Sequence, residues 1–282
     1  MPAPIYTAEN CKAAYQLDWV YSLFWRKPPG ELEWLEELKK LTEQDGIRLL
    51  QHTFEEPNVS KLLVSTKPEV SPLKIAQRIK GRLQHLIRER LPDAFRRNYA
   101  IRSVGSTKRE NLERYLQSQL RHHPMADARI VERFEKYQIN NADVDLSQPS
   151  ETAHARYWYN LHVAFVNEER WRDVRESRLA TVRDMVVKAS AAKAHWLSRG
   201  AIVADHVHLI MRCGLSESPQ EVALSYMNNV AYALGMKPDL QFSYFVGTFG
   251  EYDLGVIPRP HNQSFAPPTK VGGGEKDAAV AE

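Results

Sequence analysis

Three stretches of this chain repeat at nearly one spacing, and that repetition limits the fold more than any other feature. Residues 59–76, VSKLLVSTKPEVSPLKIA, align without gaps to 206–223, HVHLIMRCGLSESPQEVA, at an offset of 147. They share an apolar triplet and a Ser-Pro pair. NYAIRSVG at 98–105 aligns to SYFVGTFG at 243–250 at an offset of 145, and YQL at 15–17 to YNL at 159–161 at an offset of 144. Two unrelated modules of one architecture would share element order, but the common Ser-Pro pair and terminal glycine favour an internal duplication. Whatever the first half folds into, the second half should fold into as well.

The element order follows from pattern. Residues 14–25, AYQLDWVYSLFW, read as a strand that Pro28, Pro29 and Gly30 end. Leu32, Leu35, Leu38 and Leu41 recur as on an amphipathic helix, and 47–54 with 61–66 read as an antiparallel pair. Ser71 before Pro72 opens a helix expected to reach about Arg90, a strand covers Tyr99 to Val104, and helical character returns from Lys108 to Arg121. In the second half, Tyr159–Val166, Ser177–Trp196, AIVA, HVHLIM, the Ser218-Pro219 helix and FSYFVGT give the same order. The expected class is α+β: two tandem ferredoxin-like (RRM-like) domains with antiparallel sheets. Burial of exposed strand edges favours their joining into one pseudo-dimeric sheet. The expected division is 1–124 and 156–263 for the copies, a helical connector and polar linker over 125–155, and a disordered tail from 264 to 282.

Composition excludes several classes. At 282 residues, 43% hydrophobic and 26% charged, the chain has the apolar content for one or two cores. No apolar run approaches the roughly 18 residues of a membrane helix, and MPAPIYTAENCK has no signal-like stretch. The expected location is cytoplasmic, without membrane partners. Cys11 and Cys213 are too few for a disulfide framework and lie outside any CxxC spacing, so two buried thiols are expected. Net charge is only +3, yet Lys74 to Arg121 holds thirteen Lys or Arg against four acids, a local +9. Charge alone leaves a solvated helix surface and a phosphate-binding face equally open.

His206 and His208 stand two apart on an expected strand, so both imidazoles project from one face. By itself such a pair is more often packed or solvent-facing than a metal site, which also needs a third ligand and an open coordination position. Its context is more specific. DHVHLIM, a short loop, SPQEV and then SYFVGTFG resemble the His-hydrophobe-His core of the HUH single-strand DNA transposases, particularly the REP-associated tyrosine transposase branch. The resemblance is strong over Tyr159 to Gly250 and fainter in the first half. It implies that the histidines hold a divalent ion (Mg²⁺ or Mn²⁺) at a scissile phosphate of single-stranded or hairpin DNA. It further implies that a tyrosine on the last helix attacks to give a 5′-phosphotyrosine, and that a glutamine one turn later is a further metal ligand. The chemistry is consistent: a phenol is a weak nucleophile at neutral pH and needs a nearby cation.

Each half departs from that pattern in a complementary way. After Gly250 the tyrosine-helix position reads EYDLGVIPRPHNQ, where Pro258 and Pro260 exclude a regular helix interior and Tyr252 comes too early. In the first half Val59 and Lys61 replace the histidines, and neither ligates a metal. Yet KRENLERYLQSQL retains Tyr115 and Gln119 four residues apart on one helix face. The resulting expectation is one composite site, with Tyr115 as nucleophile and His206, His208 and Gln119 as metal ligands. Its geometric consequence is that Tyr115 lies within several ångströms of the histidines, across the interface between copies.

Lys74, Arg78, Arg82, Arg102, Lys108, Arg109 and Arg114 are the candidate nucleic-acid contacts. Trp19, Tyr21, Trp25 and Tyr99 are candidate base-stacking residues, with core packing the favoured reading for most of them. His122 and His123 have no supporting context. Two functions are compatible: a metal-dependent nicking and joining enzyme for single-stranded DNA, and a transposase-derived protein that binds hairpin DNA or RNA without cutting it.

Overall fold

The computed structural model describes residues 3–27, 29, 33–105, 107, 109–122, 128–168 and 174–250. Its elements are β1 (Lys12–Gln16), β2 (Asp18–Trp25), α1 (Leu35–Gln44), β3 (Ile47–Glu56), β4 (Val59–Thr66), α2 (Pro72–Ile87), β5 (Phe95–Val104), α3 (Arg109–His122) and α4 (Ala128–Lys136) in the first half. There follow β6 (Ile139–Asn140), β7 (Ser150–Glu151), β8 (Ala155–Trp158), β9 (Asn160–Asn167), α5 (Glu176–Ala192), β10 (Trp196–Ile202), β11 (His206–Arg212), α6 (Pro219–Ala233) and β12 (Leu240–Thr248). None of the described helices is long and apolar enough to cross a membrane.

Two six-stranded sheets result, ordered β3-β4-β2-β5-β8-β7 and β1-β12-β9-β11-β10-β6. Counted within its own β-α-β-β-α-β unit, the first reads 2-3-1-4 and the second 4-1-3-2. This is one ferredoxin-like order seen from opposite ends, so the expected α+β class holds for both halves.

The sheets do not fuse into one; they exchange strands. β1 leaves the first half to run parallel to β12, and β8 runs parallel to β5 in the other direction. The expected single strand over 14–25 is therefore broken at Leu17, and its counterpart at Tyr159, each nearly inaccessible to solvent where the chain passes between sheets. Exchange covers the β5 and β12 edges that would otherwise carry unpaired backbone groups. It also means that the sequence division at 124–156 is not a division in space. Even Tyr6 packs with the second half, its hydroxyl donating to Leu240 O at 3.0 Å.

Strand register fixes the equivalence of the halves. Phe24 pairs with Val59 and Ser22 with Lys61; Val166 pairs with His206 and Ala164 with His208. Val59 and Lys61 thus hold the places of His206 and His208, as the 147 offset requires. The leading strands match at 142, not 144, so the YQL/YNL alignment slips by two residues, an even number that preserves the face.

Local sequence explains the helices beneath each sheet. Ser71 accepts a hydrogen bond from Lys74 N and Pro72 opens α2, whose Ile75, Ile79, Leu83 and Ile87 are buried. Ser218 and Glu221 form a reciprocal capping box at α6. Trp19, Tyr21, Leu23 and Trp25 alternate inward on β2 and are fully buried, so the core-packing reading of these aromatics is the one the structure adopts. Tyr99 packs beside Tyr21 at 5.9 Å. Cys213 is buried, whereas Cys11 is only partly so.

The halves clasp through reciprocal hydrogen bonds, as a two-fold interface does. Leu73 N donates to Leu215 O at 3.0 Å, and Gln220 N to Pro68 O at 2.9 Å. Ser103 Oγ donates to Phe249 O at 2.9 Å, and Thr248 Oγ1 to Val104 O at 2.6 Å. The terminal glycines are needed here for close approach. A Cβ on Gly105 would stand 2.3 Å from Thr248 O, and one on Gly250 2.4 Å from Ser103 O. The expected polar linker over 140–153 is tied in as well: Leu146 is buried, and its carbonyl accepts from Asn160 Nδ2 at 3.1 Å and from Arg212 at 2.5 Å.

Candidate active site

β11 has two faces with different fates. Val207, Leu209, Met211 and Cys213 join the main core, while His206, His208, Ile210 and Arg212 face the other way. That second face is where the first half reaches across. α3 lays Leu112 and Leu116 onto Ala201, Ile210 and Phe249 in a small cluster separate from the main core, with Leu146 and Val144 closing it. Arg109 adds an ion pair to Asp145 at 3.1 Å.

This packing carries Tyr115 to the histidines. Its ring meets that of His208 edge-on, with centroids 5.7 Å apart, and the side chain keeps 45% of its exposure. His206 and His208 rings are 4.7 Å apart. A third histidine, absent from the sequence reading, completes the group. His162 on β9 stacks on His208 at 5.1 Å and places its Nε2 2.8 Å from His208 Nδ1. Asp205, also missed, holds His206 Nδ1 at 2.8 Å through Oδ1. Alternation in NLHVAFV, which puts His162 on the face of β9 that adjoins His208, was the signal available for the first.

Burial disfavours a charged imidazole. It pushes His162 down to about 4, and it holds His208 well below the usual histidine range, helped by the neighbouring His162 and His206. Both are neutral at pH 7, the form in which imidazole ligates a metal. Nδ1 of each is engaged by a neighbour, His206 by Asp205 and His208 by His162, an arrangement of the kind that orients metal-bound histidines. The pair therefore fits a divalent ion as far as it extends. Among the described residues no group of three or more His, Cys, Asp or Glu side chains is placed to hold one. Gln119, the expected further ligand, falls on α3 by position, but its side chain lies outside the described residues, as do Lys108, His122, His123, Tyr252, Pro258 and Pro260.

The equivalent place on the first sheet has no such chemistry. Lys61 there pairs with Glu55 at 2.5 Å, and Val59 offers no ligand.

The basic segment does not form one face. Arg78 and Arg82 lie on α2 beneath the first sheet and pair with Asp45 at 3.7 and 3.0 Å; Lys74 opens the same helix. Arg102 emerges on the opposite side of that sheet, its guanidinium 4.1 Å over the Trp158 ring. Arg109 and the exposed Arg114 sit on α3. A single docking surface is thus corrected to two groups, one behind the sheet and one beside the candidate site, because α2 and α3 pack against different sheets.

No curated protein matches the chain. Among solved structures, a Deinococcus radiodurans R1 protein described as a transposase is 16% identical, covering 38% of this chain and 92% of its own, with a TM-score of 0.29. The REP-associated tyrosine transposase bound to a REP hairpin is 12% identical, covering 36% and 63%, with a TM-score of 0.28. The family match falls on the first half, where the resemblance was expected to be fainter, and it ends within α3. Residues 26–119 match the family described as Transposase IS200 like, and over that third of the chain the resemblance to single-strand transposases holds.

Proposed function

We propose that this chain nicks and rejoins single-stranded DNA through a 5′-phosphotyrosine, at one composite site assembled from two duplicated copies. Tyr115 of the first copy is the nucleophile, and His206 and His208 of the second, with Gln119, hold the divalent ion. The observation that carries this reading is the 5.7 Å approach of the Tyr115 and His208 rings across the interface between halves.

In the first step the Tyr115 oxygen bonds to phosphorus and the bond from phosphorus to the 3′-oxygen breaks. The phenol proton passes to solvent, to which Tyr115 is open, and the 3′-oxygen takes one up. Rejoining is the reverse, so the bond's energy is conserved. When bound, the divalent ion supplies charge stabilisation at the non-bridging phosphate oxygens. His206 Nδ1 is held by Asp205 Oδ1 and His208 Nδ1 by His162 Nε2, so both rings are held in place for the ion. Asp205 and His162 are thus positioning residues. Lys74, Arg78, Arg82, Arg102, Lys108, Arg109 and Arg114 contribute phosphate contacts on the two basic groups. With one tyrosine per chain, one strand end is cut and resealed at a time; exchange of two ends requires a second chain.

A non-catalytic hairpin-binding protein is the second reading, favoured by the lack of a three-ligand group among the described residues. Incubation with labelled single-stranded hairpins and Mn²⁺ separates the two. A covalent adduct that disappears in Tyr115→Phe and persists in Tyr252→Phe is the expected result. Tight hairpin binding with no adduct under any divalent metal would establish the binder.

A further inference from the structure

At the seam between the halves, near the start of α3, lies a cavity of about 230 Å³ lined by Arg102, Ser103, Arg109, Leu146, Ser147, Trp158, Asn160 and Gly250. Three features define what it would accept. Its cationic groups are two guanidinium ions contributed by different elements, Arg102 from β5 and Arg109 from α3. Arg109 Nε is buried with no hydrogen-bond partner among the described residues, although Glu113 Oε1 lies 3.9 Å from it and its NH1 is held by Asp145 at 3.1 Å. Against one wall lies a flat conjugated surface: Arg102 over Trp158 at 4.1 Å, with the Arg156 guanidinium 5.6 Å from the same ring. Trp158 is fixed there by Nε1–H donation to Ser147 O at 2.7 Å.

An apolar ligand would make no use of the cationic lining, and a bare inorganic anion would leave the flat surface unused. One ligand class satisfies both, a nucleotide unit with an anionic phosphate and a planar base, because bases stack on aromatic and guanidinium planes alike.

We infer that this seam cavity seats one nucleotide of the single strand, its base against Trp158 and Arg102 and its phosphate at Arg102 and Arg109. The inference rests on the single-strand reading above and extends it to a particular subsite. α3 connects the subsite to the nucleophile: Tyr115 lies six positions after Arg109, about 9 Å of helix. A nucleotide held here fixes the strand a short distance from the scissile phosphate, and it does so only when both halves are in place.

Fluorescence anisotropy of a labelled octathymidylate tests this without any need for cleavage. Trp158→Ala should weaken binding about tenfold, Trp158→Phe less than about threefold, and Arg102→Gln should weaken it and lower the salt slope by about one. Lys39→Ala, a charge removed from the far surface of α1, serves as the control and should leave affinity unchanged. Unlabelled thymidine monophosphate should compete at high concentration and inorganic phosphate at the same concentration should not; equal competition by phosphate would reduce the site to an anion site and overturn the base-stacking assignment. Wild-type affinity in both Trp158→Ala and Arg102→Gln, with melting curves unchanged, would overturn the subsite. If Trp158→Ala does not fold, Trp158→Phe and Arg102→Gln carry the test. Because binding is read separately from adduct formation, Trp158-dependent binding without any adduct would sink the catalytic reading and leave the subsite standing.

Discussion

Removing the side chains that seat α3 should silence the site without unfolding the protein. Among the described residues, Leu112 and Leu116 are the apolar groups that α3 buries on the second sheet, in a cluster apart from the main core. Each contributes about 1.5–3 kcal/mol of burial. The Arg109–Asp145 pair, half exposed on the Asp145 side, adds no more than about 1 kcal/mol. Docking of α3 is thus worth roughly 3–7 kcal/mol by these contacts. Leu116→Ala removes about 2–3 kcal/mol of it and leaves the helix mostly seated, so adduct formation should fall by less than about threefold. Leu112→Ala with Leu116→Ala removes nearly all of it; the helix should be largely undocked and the adduct rate should fall at least about tenfold. Hydrogen exchange supplies the second readout. Amides of α3 should lose protection in the double variant while those of β2, β4, β9 and β11 keep theirs. A double variant that forms adduct at the wild-type rate, with α3 still protected, would refute the argument that this cluster places the nucleophile. Equal loss of protection in α3 and the sheets would refute the claim that the cluster is energetically separate from the core.

Replacing His162 by Phe keeps a stacked ring but removes the Nε2 acceptor, and it should weaken Mn²⁺ affinity by about 10–100-fold, measured by titration calorimetry. Gly250→Ala forces a Cβ against Ser103 O and should destabilise the protein by about 1–3 kcal/mol in urea unfolding, with Gly105→Ala similar because the seam is two-fold. Thr248→Val leaves Asp18 N without the Thr248 Oγ1 acceptor it now has at 2.8 Å, and it should cost about 1–3 kcal/mol by the same measurement. Asp145 is held down to about 2, chiefly by hydrogen bonds from Ser147 and least by Arg109. A depressed carboxylate stabilises above its unfolded value of 3.8 and loses that contribution as pH falls through about 2. The stability gap between wild type and Asp145→Asn should therefore be present at pH 5 and close towards pH 2, and a gap that widens on acidification would contradict this assignment.

What the sequence disclosed and what it hid divide along the range of the interactions. Caps are local: Ser71-Pro72 and Ser218-Pro219 announced α2 and α6 because the side chain that starts each helix lies within three residues of the amide it satisfies. The equivalence of Val59 and Lys61 with His206 and His208 was also legible, since one gap-free stretch carried both strand and helix. The strand exchange was not. Nothing in AYQLDWVYSLFW marks Leu17 as the point where the chain changes sheets, because the partner that claims Lys12–Gln16 is β12, more than two hundred residues later. The same limit hid His162, whose role depends on β9 lying beside β11. The split of the basic segment has the same cause: +9 is a sum along the chain, and the sheet places alternate elements on opposite sides.

Strand exchange also bears on why a composite site is stable as an arrangement. Each sheet depends on a strand from the other half, and the seam beyond it is locked by Ser103 and Thr248 in reciprocal hydrogen bonds. Separation of the halves would expose the β5 and β12 edges and unpair both hydroxyls, a cost spread over backbone pairing as well as side chains. The seam thus holds the two halves together beside α3, and among the described residues the seating of α3 itself rests on the small apolar contact of Leu112 and Leu116. On the proposed reading, with α3 delivered to the histidines in this way, the face around Val59 and Lys61 is released from the geometry of catalysis. That release is sufficient to account for a valine and an ion-paired lysine where the other sheet carries two imidazoles.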